Sequence, residues 1–196
     1  MKKLLFLFSA IILGAGPLFS QSNGINVGFN YTHAGRNVGV GYSRSFKNND
    51  RLSVGLLCYI NKQSMPDDQN SVYYRRLHAQ TFWQHLGFQA SYDKSFLNSL
   101  EHIHPFAFYD LQLAYAPTLN KGYHQGVPFE DSFGPFLWME NSLGLGFSAD
   151  IYKSLYLFEK MGATFAVMFG EEQKLVKVKP EWEFGYMFNV GIGYRF

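Results

Sequence analysis

From Trp182 to Phe196 the chain alternates without a break. Trp182, Phe184, Tyr186, Phe188, Val190, Ile192, Tyr194 and Phe196 are apolar or aromatic, and Glu183, Gly185, Met187, Asn189, Gly191, Gly193 and Arg195 stand between them. Successive side chains of a strand point to opposite faces, so this segment has one apolar face and one that is small or polar. The same alternation, punctuated by turn signals, predicts strands near 25–33, 36–46, 51–61, 80–96, 104–117, 136–152, 155–171 and 182–196. Eight strands, an even number, bring both ends of the sheet to one side.

The connections sort by length. On the side of the chain ends they are Lys47 to Asp50, the stretch around Leu97 to Ile103, and Lys153 with Ser154. On the other side they are the tight hairpin Ala34 to Arg36 and three long polar segments, Lys62 to Ala79, Thr118 to Pro135 and Glu172 to Glu181. Short turns on one rim and long loops on the other are the habit of membrane-spanning barrels, with the short turns in the periplasm. A spanning helix needs about 20 apolar residues; the N-terminal run from Leu4 to Leu13 is about half that and no later segment is long enough, so a membrane could be crossed only by a closed barrel. The expected fold is an all-β, eight-stranded antiparallel up-and-down transmembrane barrel. The competing fold is a soluble lipocalin-like barrel, which would turn its aromatics inward around a ligand.

The N-terminus changes the compartment. Met1, Lys2 and Lys3 precede an apolar run from Leu4 to Leu13 and a small-residue tail from Gly14 to Ser20, the layout of a secretory signal peptide. Residues 1–22 are read as that leader, cleaved after Ser20 or Ser22, and 23–196 as the barrel domain. Among 196 residues, 20 Phe, 13 Tyr, 3 Trp and 19 Gly favour strands over helices. Removing Lys2 and Lys3 takes Lys plus Arg from 17 to 15, equal to the 15 Asp plus Glu, and a neutral chain gives no basic nucleic-acid surface. Cys58 is the lone cysteine, so no internal disulfide staples the fold.

Alternation also assigns the faces. Outward positions such as Val27, Phe29, Val40, Leu56, Phe88, Leu111, Leu143, Phe165 and Val190 form an apolar band. Its lower margin carries Tyr42, Phe46, Tyr92, Phe96 and Phe196, and its upper margin Tyr31, Tyr115, Phe169 and Trp182, as suits rings at a membrane interface. Asn141 and Glu159 are misfits on this face, calling for a bulge or an interfacial position. Inside, Trp83, Phe108 and Trp138 fill a lumen that in an eight-stranded barrel is just wide enough for side chains. The polar lumenal group is His85, Asp93, Asp110, Glu140, Asp150, Lys160 and Arg195. Its charges must pair, since isolated buried charges are costly.

Catalysis by a Ser and a His on one strand needs the two residues at i and i+2, and no His of this chain has Ser two positions later. His85, Glu140 and Ser142 face inward at similar heights, which a satisfied polar group explains more simply than an active site. His102 and His104 have two-residue spacing but no third ligand near in sequence, so turn chemistry is the plainer reading. No catalytic, cofactor or metal residues are therefore assigned. The basic run Lys174, Lys177 and Lys179 could meet lipopolysaccharide phosphates or be a solvated hairpin. In the loops, Tyr73, Tyr74, Arg75, Arg76, Tyr123 and His124 are candidate partner contacts, being of types common in interface hot spots.

With its leader, eight alternating segments, loop asymmetry and the ending Gly193-Tyr194-Arg195-Phe196, the chain resembles the small eight-stranded outer-membrane barrel proteins of diderm bacteria. The resemblance covers essentially the whole mature chain. It implies that the alternating aromatic end, Tyr194 and Phe196, is an insertion signal read by the barrel-assembly machinery. It also implies residence in the bacterial outer membrane among lipid and lipopolysaccharide. The group includes adhesins, pores, structural anchors and lipid-modifying enzymes. The function expected is structural or surface interaction through the outer loops, with an extracellular or envelope protein as partner. A narrow small-solute pore and a lipid-modifying enzyme are the alternatives.

Overall fold

A computed structural model of the chain describes residues 22–32, 35–46, 49–60, 86–96, 102–124, 127–170 and 181–196. The strands are β1 (Ser22–Thr32), β2 (Gly35–Ser45), β3 (Arg51–Ile60), β4 (Leu86–Ser95), β5 (Ile103–His124), β6 (Val127–Tyr152), β7 (Leu155–Gly170) and β8 (Glu181–Arg195). Each pairs antiparallel with its sequence neighbour, and β1 pairs with β8, so the sheet closes without an edge. Residues 1–21 of the predicted leader lie outside the described residues, as do 80–85 at the expected start of the fourth strand, while Ser22 opens β1.

The register fixes the barrel's width. Stepping from Asn26 through Gly41, Gly55, Gln89, Gln112, Glu140 and Ala166 arrives at Glu183 on β8, yet Asn26 itself pairs with Gly193, ten residues further on. Eight strands with that stagger tilt by roughly 40° and enclose a space that side chains can fill.

The faces fall as the alternation predicts. Outward residues are bare, with Leu56 at 69%, Leu143 at 66% and Phe184 at 70% exposure. Inward Trp138, Phe108 and Met187 are at 1% or less. Apolar residues that shun water yet stand uncovered need a nonaqueous surrounding, and a belt around a closed barrel is where lipid provides it. Asn141 and Glu159 stay on this outward side without a bulge. Asn141 is met by the Tyr109 hydroxyl, which donates to its Oδ1 at 2.6 Å. The ladder's irregularities lie elsewhere, between Ala116 and Thr118 and between Asp150 and Tyr152. The first brackets Pro117, which lacks the N–H a continuous ladder requires.

The expected long loop from Thr118 to Pro135 is instead a continuation of β5 and β6. Thr118 pairs with Phe133 and the ladder runs on to His124 opposite Val127. Polar composition and the prolines Pro117, Pro128 and Pro135 disguised this ribbon as a loop.

At the opposite rim, the turn from β2 to β3 is fastened to β4. Asp50 accepts from Lys94 Nζ at 2.8 Å, from the Tyr92 hydroxyl at 3.1 Å and from the Ser95 N–H at 3.1 Å. Burial disfavours its charge, but these bonds outweigh that and hold the carboxyl below its ordinary value. The Tyr42 hydroxyl likewise donates to Asn23 Oδ1 at 2.8 Å. Both phenols thus point their polar ends to the rim that carries the chain ends, as interfacial aromatics do.

Glycines make room for the lumenal aromatics. Tyr156 and Phe158 on β7 pair with Gly193 and Gly191 on β8. A Cβ on Gly191 would stand 2.3 Å from the Phe158 ring and one on Gly193 would stand 2.2 Å from that of Tyr156. The rings lie over these glycines, which spares the sheet the bare backbone that glycine leaves.

Candidate functional site in the barrel lumen

The lumenal polar residues form three groups stacked along the axis. Nearest the outer rim, Glu140 Oε1 accepts from the Trp138 indole N–H at 2.9 Å and from the Thr32 hydroxyl at 3.3 Å. Below them runs a chain of amides. Asn30 donates to Asn37 at 2.7 Å, Asn37 to Gln112 at 3.1 Å, and Gln112 to Asp110 at 3.3 Å, with Tyr59 also donating to Gln112 and Gln89 to Asp110. Asn30, Asn37, Asp110, Gln112 and Glu140 are all buried. Such groups are tolerated inside because neighbours replace the hydrogen bonds water would have made.

The second group is ionic. Asp93 Oδ2 accepts from Arg51 Nε at 2.9 Å and lies 2.7 Å from Nη2, while Asp93 Oδ1 accepts from Lys160 Nζ, which also donates to Ser91. One carboxylate thus serves two buried cations. The aromatic wall shares the remaining positive charge: the Arg51 guanidinium lies 5.2 to 5.7 Å from the Phe106, Tyr156 and Phe158 rings, and Lys160 Nζ lies 5.3 Å from that of Phe108.

The third group sits at the rim of the chain ends. Arg195 Nη1 donates to Asp150 Oδ1 at 2.7 Å, His104 Nε2 stands 3.1 Å from Asp150 Oδ2, and the Arg195 guanidinium lies 4.4 Å over the Tyr156 ring.

The expected single cluster therefore divides. Asp93 joins Lys160, and Asp150 joins Arg195, as pairing of buried charges requires. Asp110 and Glu140 are instead held by separate neutral partners. Arg51 was absent from the expected set, although its parity with inward Ser53 and Gly55 was a usable signal. His85 and Trp83 lie outside the described residues, as do Tyr73, Tyr74, Arg75, Arg76, Lys174, Lys177 and Lys179. The Ser142 hydroxyl is engaged with Thr164 at 2.7 Å, and His102 is exposed while His104 turns to Asp150. Among the described residues no three His, Cys, Asp or Glu side chains are placed to hold a metal ion. Tyr194 and Phe196 are exposed on the apolar face, at 55% and 63%.

Among the described residues the lumen holds a cavity of about 30 Å³ beside the glycines of β1 and β2 and another of about 120 Å³ at the rim of the chain ends. Arg51 and Asp93 line both, so their ion pair stands between them.

No family model and no curated protein sequence matches the chain. Among solved structures it is similar to outer membrane protein H (OprH) from P. aeruginosa, solved in solution in DHPC micelles. The TM-score is 0.50 at 12% identity over 89% of this chain and 99% of that one. The N-terminal β-barrel domain of Pseudomonas aeruginosa OprF has TM-score 0.47 at 12% identity, covering 91% of this chain and 100% of that one. A major outer membrane protein from Thermus thermophilus has TM-score 0.41 at 12% identity, covering 90% and 100%. At such identity the likeness to OprH is one of fold. Together, the closed eight-stranded meander, the uncovered apolar belt and the packed polar lumen define an outer-membrane β-barrel, of the kind built into bacterial outer membranes.

Proposed function

We propose that the protein is a non-conducting outer-membrane barrel with a structural or surface-interaction role, displaying its outer connections to an extracellular or envelope partner. The observation that carries this reading is the lumen itself, crossed by Trp138, Tyr59, Phe108, Tyr156 and Phe158 and by the Arg51–Asp93–Lys160 group. Each of these is buried, which favours a plug over a water-filled path. The ribbon of β5 and β6 continuing beyond the barrel favours display at the outer surface. Outer-membrane lipid and lipopolysaccharide then surround the belt, and Tyr194 and Phe196 present the aromatic end to the barrel-assembly machinery during insertion.

The test is made in two places. Purified protein in a planar bilayer should show little steady conductance, and the Phe108→Ala, Trp138→Ala double variant should show more. In intact cells, trypsin should cut at Lys121 in the ribbon. Large wild-type conductance would move the reading to a narrow pore, and protection of Lys121 until the outer membrane is broken would reverse the orientation.

A further inference from the structure

The cavity of about 120 Å³ at the rim of the chain ends is polar on nearly every side, with Phe106 its apolar wall. Its lining includes Arg51, Arg195, His104, Ser22, Ser45 and Ser148. The carboxylates nearby are already engaged. Asp93 takes Lys160 on one oxygen and Arg51 on the other, and Asp150 takes Arg195 on one and His104 on the other. Among the residues that line the cavity itself, two permanent cations, Arg51 and Arg195, stand against one carboxylate, Asp93, with His104 beside them.

Donors remain in the same place. Arg195 meets Asp150 through Nη1, so its guanidinium retains further N–H groups. Ser148 is 4% exposed and lines the cavity, and Ser45 of β2 brings a second hydroxyl to it. The space holds several waters, and therefore one small ion in their stead. A rigid guanidinium fork beside hydroxyls, in a pocket of net positive charge, matches an oxyanion rather than a cation.

We propose that this vestibule binds a small oxyanion, a phosphate or a carboxylate group, entering from the periplasmic side. Arg195 supplies the charged contact, Ser148 and Ser45 supply hydroxyl donors, and the Arg51–Asp93 pair closes the floor.

The experiment uses the mature chain refolded in a sugar-headgroup detergent, titrated calorimetrically with inorganic phosphate and, separately, with N-acetylglycine as the peptide carboxylate. At least one should bind saturably at a single site. Arg195→Gln and Ser148→Val should each weaken that binding about tenfold or more, with Arg195→Lys retaining most of it. Saturation by phosphate alone identifies a free inorganic ligand, and saturation by N-acetylglycine alone identifies a peptide terminus. Absence of saturable binding by both, or binding that ignores Arg195→Gln and Ser148→Val, would overturn the proposal. Heat-dependent gel mobility checks that each variant is folded, and if Arg195→Gln fails to refold, Ser148→Val decides alone.

Discussion

Single residues show how much depends on which face they occupy. Val190 is outward and 41% exposed, whereas its neighbour Asn189 is 4% exposed and pairs across the sheet with Lys160. Val190→Arg puts a charge into the apolar belt and should cost about 2 to 4 kcal/mol if it lies at the bilayer midplane. An arginine at Asn189 would meet the packed interior and the facing Lys160, so the comparison belongs with Asn189→Ser, which should cost less than Val190→Arg in urea titrations of protein refolded into lipid. Asp93 offers a second case. Replacing it with Asn leaves Arg51 and Lys160 buried side by side, a loss of about 3 to 5 kcal/mol. Adding Lys160→Met should recover part of this, and strict additivity of the two changes in the same titration would mean that Asp93 and Lys160 are not coupled.

At the scale of elements, the turn between β2 and β3 is held by side chains of β4 as well as by its own backbone. Phe46 N–H bonds the Asp50 carbonyl at 2.8 Å and Asn49 adopts a φ of 61°, but the link to Lys94, Tyr92 and Ser95 passes through the Asp50 carboxylate. A carboxyl depressed on folding contributes stability above its unfolded value, about 3.9, and the contribution disappears as pH falls through the lower folded value. Wild type should therefore lose more stability than Asp50→Asn between pH 7 and pH 3, read as the shift in urea midpoint. An equal shift in both proteins would show that the clamp does not depend on charge. The β5–β6 ribbon teaches the complementary lesson: Pro117 interrupts one ladder position, and pairing resumes directly beyond it.

For the whole molecule, closure is what makes the apolar exterior tenable. The belt has no protein to cover it among the described residues, and every strand has two neighbours, so lipid can surround the barrel without meeting unpaired backbone. The protein should fractionate with outer membranes, resist extraction by high salt, and migrate at a heat-dependent position on a denaturing gel. Recovery as a soluble periplasmic monomer would contradict the class. The lipid-modifying alternative is tested on the same cells, since His85→Ala should leave the lipid A and phospholipid acyl pattern unchanged in mass spectrometry. A lipid species lost with that substitution would restore the enzyme reading.

Strand number, face assignment and antiparallel order were legible along the chain because period-two alternation is a local property, written within each strand by residues that need no distant partner to reveal it. Val27, Leu143 and Val190 could be set outside, and Asp93, Glu140 and Lys160 inside, from their spacing. Partners were not legible. Whether Asp93 meets Lys160 or Arg195, whether Asp110 receives a cation or two amides, and that Arg51 closes one cavity from another depend on a stagger of ten residues summed around eight pairings. Heights in a tilted barrel are set by that sum, and a slip at any single strand would bring different side chains together across the lumen.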